Sequence, residues 1–235
     1  MAKISIVTPT RDRDDLISET IESVIKQTEK DWQMIIVDDH SSAEDETEKV
    51  IKSFADERIQ YFKLTDENGK GIAAARNFGI MLAETELVTF LDSDDICYPE
   101  RIELTLKAFS EKKPDLTYGN LKRWDPQTNE ETNQLPQFQP GEFDFKRFGE
   151  VDYIPMGTVT TKRSILLEYP FNSFFRRAED YDLLMRLAKR GYKFHYIDHP
   201  LIKYRRHEGS ITKEKKMLFN YGRMVKNNYQ VVKDE

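Results

Sequence analysis

The chain has one cysteine, Cys97, among its 235 residues. A single thiol excludes an internal disulfide framework and a cysteine-built zinc site. A reducing compartment is the expected setting. Long apolar runs are missing too. None approaches the roughly 20 residues that a membrane helix needs. The first apolar run, Ile4-Ser-Ile-Val7, is followed by Arg11-Asp-Arg-Asp-Asp15, which is too short and wrongly flanked for a secretion signal. The expectation is a cytoplasmic protein. Positive charge is also in deficit: the formal net charge is −6, which argues against a nucleic-acid partner. Glycine is sparse where a phosphate loop would need it, since Thr8-Pro-Thr-Arg-Asp12 contains none. No internal repeat or low-complexity tract is present.

What the chain does have is a short apolar run that stops in acid. In Leu87-Val-Thr-Phe-Leu91 and the residues after it, Asp92, Asp94 and Asp95 place three carboxylates within four positions. Like charges that close raise one another's pKa or require neutralisation. Mg²⁺ or Mn²⁺ is commonly held by one or two carboxylates together with substrate phosphates. The bland alternative is a solvated acidic turn.

Periodicity supplies the context. Ile4–Thr8, Gln33–Val37, Ile59–Phe62, Leu87–Leu91 and Leu116–Gly119 read as short buried strands. Between them, apolar residues recur at helical spacing: Leu16 to Ile25, Thr47 to Phe54, Ala73–Leu82 and Ile102 to Phe109. Ser41 followed by Glu44 resembles a capping box, and Pro99 suits a helix's first turn. Such alternation predicts an α/β fold with a mostly parallel sheet flanked by helices. Asp38-Asp39 and the Asp92 cluster both follow strands. A parallel sheet brings them to one edge, beyond the carboxyl ends, where open sheets bind ligands. Trp124–Gly141 reads as a loop. A helix over Ala178–Lys189 follows, then strands near Lys193–Ile197 and Leu201–Tyr204. Leu183, Leu184 and Leu187 stand at +3, +4 and +7 from Asp180, so Asp180 is expected on the buried face. It is either a helix-terminus stabiliser or a placed base. The tail 213–233 is a basic amphipathic segment that either docks on the domain or touches an anionic membrane surface. The expected division is one domain over 1–212, with a nucleotide half at 1–119 and an acceptor half at 120–212, and a terminal helix over 213–235.

Several motifs then fall in a familiar order: Ser5-Ile-Val-Thr-Pro-Thr10, Val37-Asp-Asp-His-Ser41, Ala74-Ala-Arg-Asn77 with Gly79, Phe90-Leu-Asp-Ser-Asp-Asp95, Glu179-Asp180 and Tyr204-Arg-Arg-His-Glu-Gly-Ser210. Together they resemble the glycosyltransferase family 2 group of GT-A enzymes. The resemblance implies inverting transfer of a sugar from a nucleotide-diphosphate donor, most often a UDP-sugar, to a glycan or glycoconjugate hydroxyl. It implies that Asp39 meets the nucleobase, that Thr8 and Pro9 border base and ribose, and that Arg76 lies near the nucleotide. Asp92 and Ser93 would serve the ribose or diphosphate. Asp94, with Asp95 beside it and His207 on a closing loop, would hold Mg²⁺ or Mn²⁺, and Asp180 would be the general base. Arg11-Asp12 stands where the family more often has Tyr-Asn, so Arg11 would stack on the base. Phe174-Phe-Arg-Arg177 replaces the usual glycine before Glu179-Asp180. Trp124, Phe174 and Phe175 are aromatic candidates for an acceptor sugar. Two other classes are compatible with the fold: a sugar-1-phosphate nucleotidylyltransferase, which would need a glycine-rich early loop, and a non-catalytic nucleotide-sugar binding module.

Overall fold

The structure, a computed structural model, describes residues 2–133, 140–206, 224–225 and 229. His207 and most of the 213–233 tail lie outside the described residues.

Strand β1 (Ile4–Thr10) is buried along its whole length, as is β2 (Trp32–Asp38). Their side chains alternate between two apolar layers, as a period of two requires. Ile4, Ile6, Met34 and Ile36 enter one layer with Ile17, Ile21 and Val24 of helix α1 (Ile17–Ile25). Val7, Ile35 and Val37 enter the other, with Ala73, Ala75 and Ile80 of helix α3 (Ile72–Leu82). A strand covered on both faces has no use for polar alternation, which is why these runs read as continuously apolar.

The described residues form one nine-stranded sheet. The remaining strands are β3 (Ile59–Lys63), β4 (Leu87–Phe90), β5 (Ile96–Cys97), β6 (Leu116–Asp125), β7 (Glu130–Asn133), β8 (Thr160–Lys162) and β9 (Phe194–Arg205). Their order is β3-β2-β1-β4-β8-β6-β9-β5, with β7 on β6. β1 pairs in parallel with both β2 and β4, so the carboxyl ends of all three open on one edge. β8 enters antiparallel between β4 and β6, and β6 and β9 run parallel beyond it. The other helices are α2 (Thr47–Ser53), α4 (Arg101–Lys112), α5 (Phe145–Glu150), α6 (Arg163–Glu168) and α7 (Glu179–Lys189).

Three local expectations are corrected. α2 starts at Thr47, so Ser41 does not cap it; instead Ser41 Oγ accepts the Asp12 N–H at 2.9 Å and ties the loops after β1 and β2 together. The two strands expected near 193–204 are one strand, β9, which passes His199-Pro200 with irregular register against Gly119 to Leu121. The stretch expected as loop from Trp124 begins inside β6 and includes β7, a hairpin partner. Cys97 lies buried in β5, within 3.2 Å of the Arg101 guanidinium.

The described tail residues contact the domain. Val225 is fully buried in the α3 layer, and the Tyr229 hydroxyl donates to Asp182 Oδ1 at 2.7 Å. No helix among the described residues is long and apolar enough to cross a membrane.

Candidate active site

Thr8, Pro9 and Thr10 form the carboxyl end of β1 and are all buried. Thr8 and Thr10 each bury a side-chain hydroxyl with no hydrogen-bond partner among the described residues. Buried hydroxyls are normally paired, so this end of β1 is chemically incomplete. The chain then turns outward. Arg11 is exposed and pairs loosely with Asp12. Arg13 leans back toward the acidic turn, with its guanidinium 3.8 Å from Asp94 Oδ2.

At the end of β2 the two aspartates differ in role. Asp38 is buried and spent on structure: it accepts the Tyr61 hydroxyl at 2.7 Å and the Ser41 N–H at 2.7 Å. Asp39 faces the next loop. Its two oxygens take the Gly71 N–H at 2.9 and 3.0 Å, and Oδ1 lies 3.1 Å from His40 Nδ1. A carboxylate has about four lone-pair sites, so Asp39 is oriented and still has acceptor capacity.

The acidic turn after β4 sorts its carboxylates. Asp92 keeps 36% of its side chain exposed and accepts from Arg76 at 3.1 Å. Asp94 keeps 23%. Asp95 points inward: it is buried, and its Oδ1 accepts the Arg205 N–H at 3.0 Å. Burial pushes the Asp95 carboxyl well up, and the charges of Asp94 and Asp92 push it further. Asp92 is also raised, first by burial and then by Asp94 and Asp180, while Arg76 opposes.

Arg76 joins the two halves of the chain. It sits on α3, only 2% exposed, and donates both to Asp92 and to Glu179 Oε1, the latter at 2.7 Å. Its Nε is buried without a partner among the described residues. A buried guanidinium persists only when paired, and here the partners come from β4's end and from α7. The neighbouring Asn77 exchanges two 2.9 Å bonds with the Phe171 backbone, pinning the segment before α7 to the same helix.

α7 presents its acids differently from the expectation drawn from spacing. Asp180 is half-buried, whereas Glu179 and Asp182 are buried. Asp182 is structural, held by Arg186 at 2.9 Å and by Tyr229. Asp180 accepts the Tyr181 N–H at 2.8 Å, as a first-turn acid does. Its charge also reaches Arg76, Asp92 and Glu179. Burial pushes the Glu179 carboxyl up to about 7, with Asp180 adding to the rise and Arg76 opposing it.

The aromatic candidates divide. Trp124 lies under the Arg205 guanidinium, 4.8 Å from ring centroid to Cζ, and donates to Asn129, so it serves packing. Phe175 is buried, while Phe174 is exposed. Three residues to which sequence reasoning gives no role lie beside the acidic turn: Arg13, Arg205 and Glu19, the last of which pairs with Arg205 at 3.2 Å. Arg13 is foreshadowed only by the charge run 11–15. Arg205 and Glu19 meet across 186 positions, which no local pattern reveals.

No group of three metal-ligating side chains occurs among the described residues. The donor set still fits a hard divalent cation. Two carboxylates, Asp92 and Asp94, stand partly exposed at one edge, and the charge of Asp94 adds to the rise that burial gives Asp92. Mg²⁺ needs no more than one or two carboxylates when a substrate supplies phosphates.

The chain is similar to known glycosyltransferases. The chain is 32% identical over 209 residues to an uncharacterized glycosyltransferase of Methanocaldococcus jannaschii, covering 86% of this chain and 70% of that one. It is 31% identical over 186 residues to the Escherichia coli UDP-Glc:alpha-D-GlcNAc-diphosphoundecaprenol beta-1,3-glucosyltransferase WfgD, covering 79% of this chain and 70% of that one. Against some longer relatives the chain spans much less, down to 27% of one from Rickettsia bellii. Its fold is that of S. aureus TarS residues 1–349 in complex with UDP-GlcNAc, with a TM-score of 0.74, 20% identity, and coverage of 99% of this chain and 68% of that one. That likeness establishes the GT-A fold. The glycosyl transferase family 2 model matches residues 5–184, from β1 through the first turns of α7, and the chain belongs to that family.

Proposed function

We propose that the protein is an inverting glycosyltransferase that moves a sugar from a UDP-sugar to a hydroxyl of a glycan or glycoconjugate. One observation carries the reading. Asp39, Arg76, Asp92 and Asp94 meet at the shared edge of β1, β2 and β4, and the Arg76–Glu179 pair draws the start of α7, with Asp180, to the same place. The names of WfgD and of the TarS complex, both of which carry UDP-sugars, support the choice of nucleotide.

In this reading the oriented carboxylate of Asp39 accepts the imide N–H of uracil. The Thr8 and Thr10 hydroxyls and Pro9 border base and ribose, and Arg11 stacks on the ring face from its exposed loop. Asp92 and Asp94 would hold Mg²⁺ or Mn²⁺ with the diphosphate, with Ser93 between them. The ion supplies neutralisation of charge developing on the leaving nucleoside diphosphate. Asp95, buried and bonded to the Arg205 N–H, would brace the turn rather than ligate the ion. Arg76 keeps a fixed positive charge beneath the acids. Asp180, half-buried and already oriented by the Tyr181 N–H, takes the acceptor hydroxyl's proton as that oxygen attacks the anomeric carbon. The attack displaces the diphosphate from the opposite face, so configuration inverts and no covalent enzyme intermediate forms. Phe174 is the one exposed aromatic of the segment leading to α7, and in this reading it would meet an acceptor.

The test is thermal unfolding with a panel of nucleoside diphosphate sugars, with and without Mn²⁺. A ligand that binds only the folded state at 100 times its Kd stabilises by about 2.7 kcal/mol. UDP-sugars with Mn²⁺ are expected to raise Tm most. A panel in which no nucleotide sugar shifts Tm contradicts the proposal.

A further inference from the structure

β9 ends at Arg205 against the acidic turn. The residue is 3% exposed. Its Nε–H donates to the main-chain oxygen of Asp94 at 2.8 Å, and its backbone N–H donates to Asp95 Oδ1 at 3.0 Å. The guanidinium reaches both oxygens of Glu19 on α1, at 3.2 and 3.3 Å, and lies over Trp124. Thr20, next to Glu19, donates its hydroxyl to the Ser93 carbonyl at 3.0 Å. Two successive carbonyls of the turn, those of Ser93 and Asp94, are therefore held by side chains from outside it.

A turn with three carboxylates in four positions repels itself. Within the turn, the Asp95 N–H donates to the Asp92 carbonyl at 3.1 Å. We propose that Arg205 is a positioning residue for the acidic turn. It clamps Asp94 by its backbone and Asp95 by its carboxylate, so that Asp92 and Asp94 face outward together toward a divalent cation and a nucleoside diphosphate. Glu19 is the anionic seat that keeps the buried guanidinium aimed at the turn. The inference rests on the metal-assisted reading above. It assigns the turn's geometry to residues of α1 and β9 rather than to the acids themselves.

The experiment is calorimetric titration of UDP into the full chain, in Mn²⁺ and again in EDTA, for wild type, Arg205→Lys and Glu19→Gln. Lysine keeps the charge but is a point donor, unable to hold the Asp94 carbonyl and Glu19 at once from two edges of one plane. Losing a hydrogen bond to a charged group predicts that the Mn²⁺-dependent gain in UDP affinity drops by about tenfold or more in Arg205→Lys. Affinity in EDTA should stay within about threefold of wild type. Glu19→Gln, at a half-exposed position, should lose about threefold of the same gain. If Arg205→Lys does not fold, Glu19→Gln carries the test. A wild-type Mn²⁺ gain in the folded variants overturns the proposal. So does an equal loss in both conditions that tracks a fall in Tm, which is the signature of a merely structural role. A wild type with no Mn²⁺ gain removes the metal reading and this inference together, a pattern distinct from the other two.

Discussion

Asp39 shows how a single carboxylate is prepared before any ligand arrives. Gly71 and His40 hold it from two sides, and the Asp39 N–H is fixed to the Thr10 carbonyl at 2.8 Å. Asp39→Ala should lower UDP affinity by about 1–3 kcal/mol, the range for removing one partner of a buried hydrogen bond. Calorimetry checks it, and unchanged affinity for every nucleotide removes Asp39 from the site. Glu179 offers a pH-dependent test. Its carboxyl is raised from an ordinary 4.5 to about 7, so the folded state keeps this proton after the unfolded chain has lost it. Stability on its account is therefore highest at low pH and falls as pH rises through the window from 4.5 to about 7. Glu179→Gln removes the titration. Relative to that variant, wild type should lose about 1–3 kcal/mol between roughly pH 5 and 8, read by urea unfolding. A pH-independent difference contradicts the assignment. Asp39 and Asp94 were legible as acids ending apolar runs. The division of labour among Glu179, Asp180 and Asp182 was not. α7 is buried without a break from Tyr181 to Met185, so a one-face periodicity cannot tell which acid faces the cleft.

Among the elements, α3 couples packing to the site most tightly. Its small residues let it lie close against β1 and β2. A Cβ at Gly79 would stand 2.5 Å from Val7 Cγ1 and 3.4 Å from Val37 Cγ2. Valine is stiff at χ1, so the helix itself must yield. Gly79→Ala should destabilise by about 1–3 kcal/mol through overpacking, reduced by alanine's better helix propensity. It should also weaken UDP binding, because Arg76 and Asn77 ride on the same helix. Chemical denaturation with a parallel UDP titration checks both, and a variant as stable as wild type contradicts the close packing. The early strands are visible in the sequence because burial on both faces leaves short continuous apolar runs, and α3 because its apolar residues recur at helical spacing. The sequence predicts two strands where β9 is one, and Pro200 lies between them; proline usually marks a strand's edge or a bulge. The irregular register at Asn120 absorbs it. The capping-box pattern at Ser41 misled because that hydroxyl is used between loops, a long-range demand that a four-residue pattern cannot encode.

At the scale of the whole molecule, one continuous sheet carries the first half's strands into β8, β6 and β9. The parallel direction of the first strands follows from alternation of strand and helix. The antiparallel entry of β8 does not, because nothing near Thr160 distinguishes the two directions. Across the sheet the Arg76–Glu179 pair, 103 positions apart in sequence, brings Asp180 to an edge built by β1, β2 and β4. On the proposed function, transfer needs both halves, whereas donor binding needs chiefly the first. That separation is the centre of the account, and one variant tests it. Asp180→Asn keeps the shape of the side chain but cannot accept a proton. UDP release from the donor that binds, measured with acceptor present, should fall by about 10²–10⁴-fold, the usual worth of a positioned base, while donor affinity by calorimetry stays unchanged. Near-normal turnover in Asp180→Asn would contradict the account.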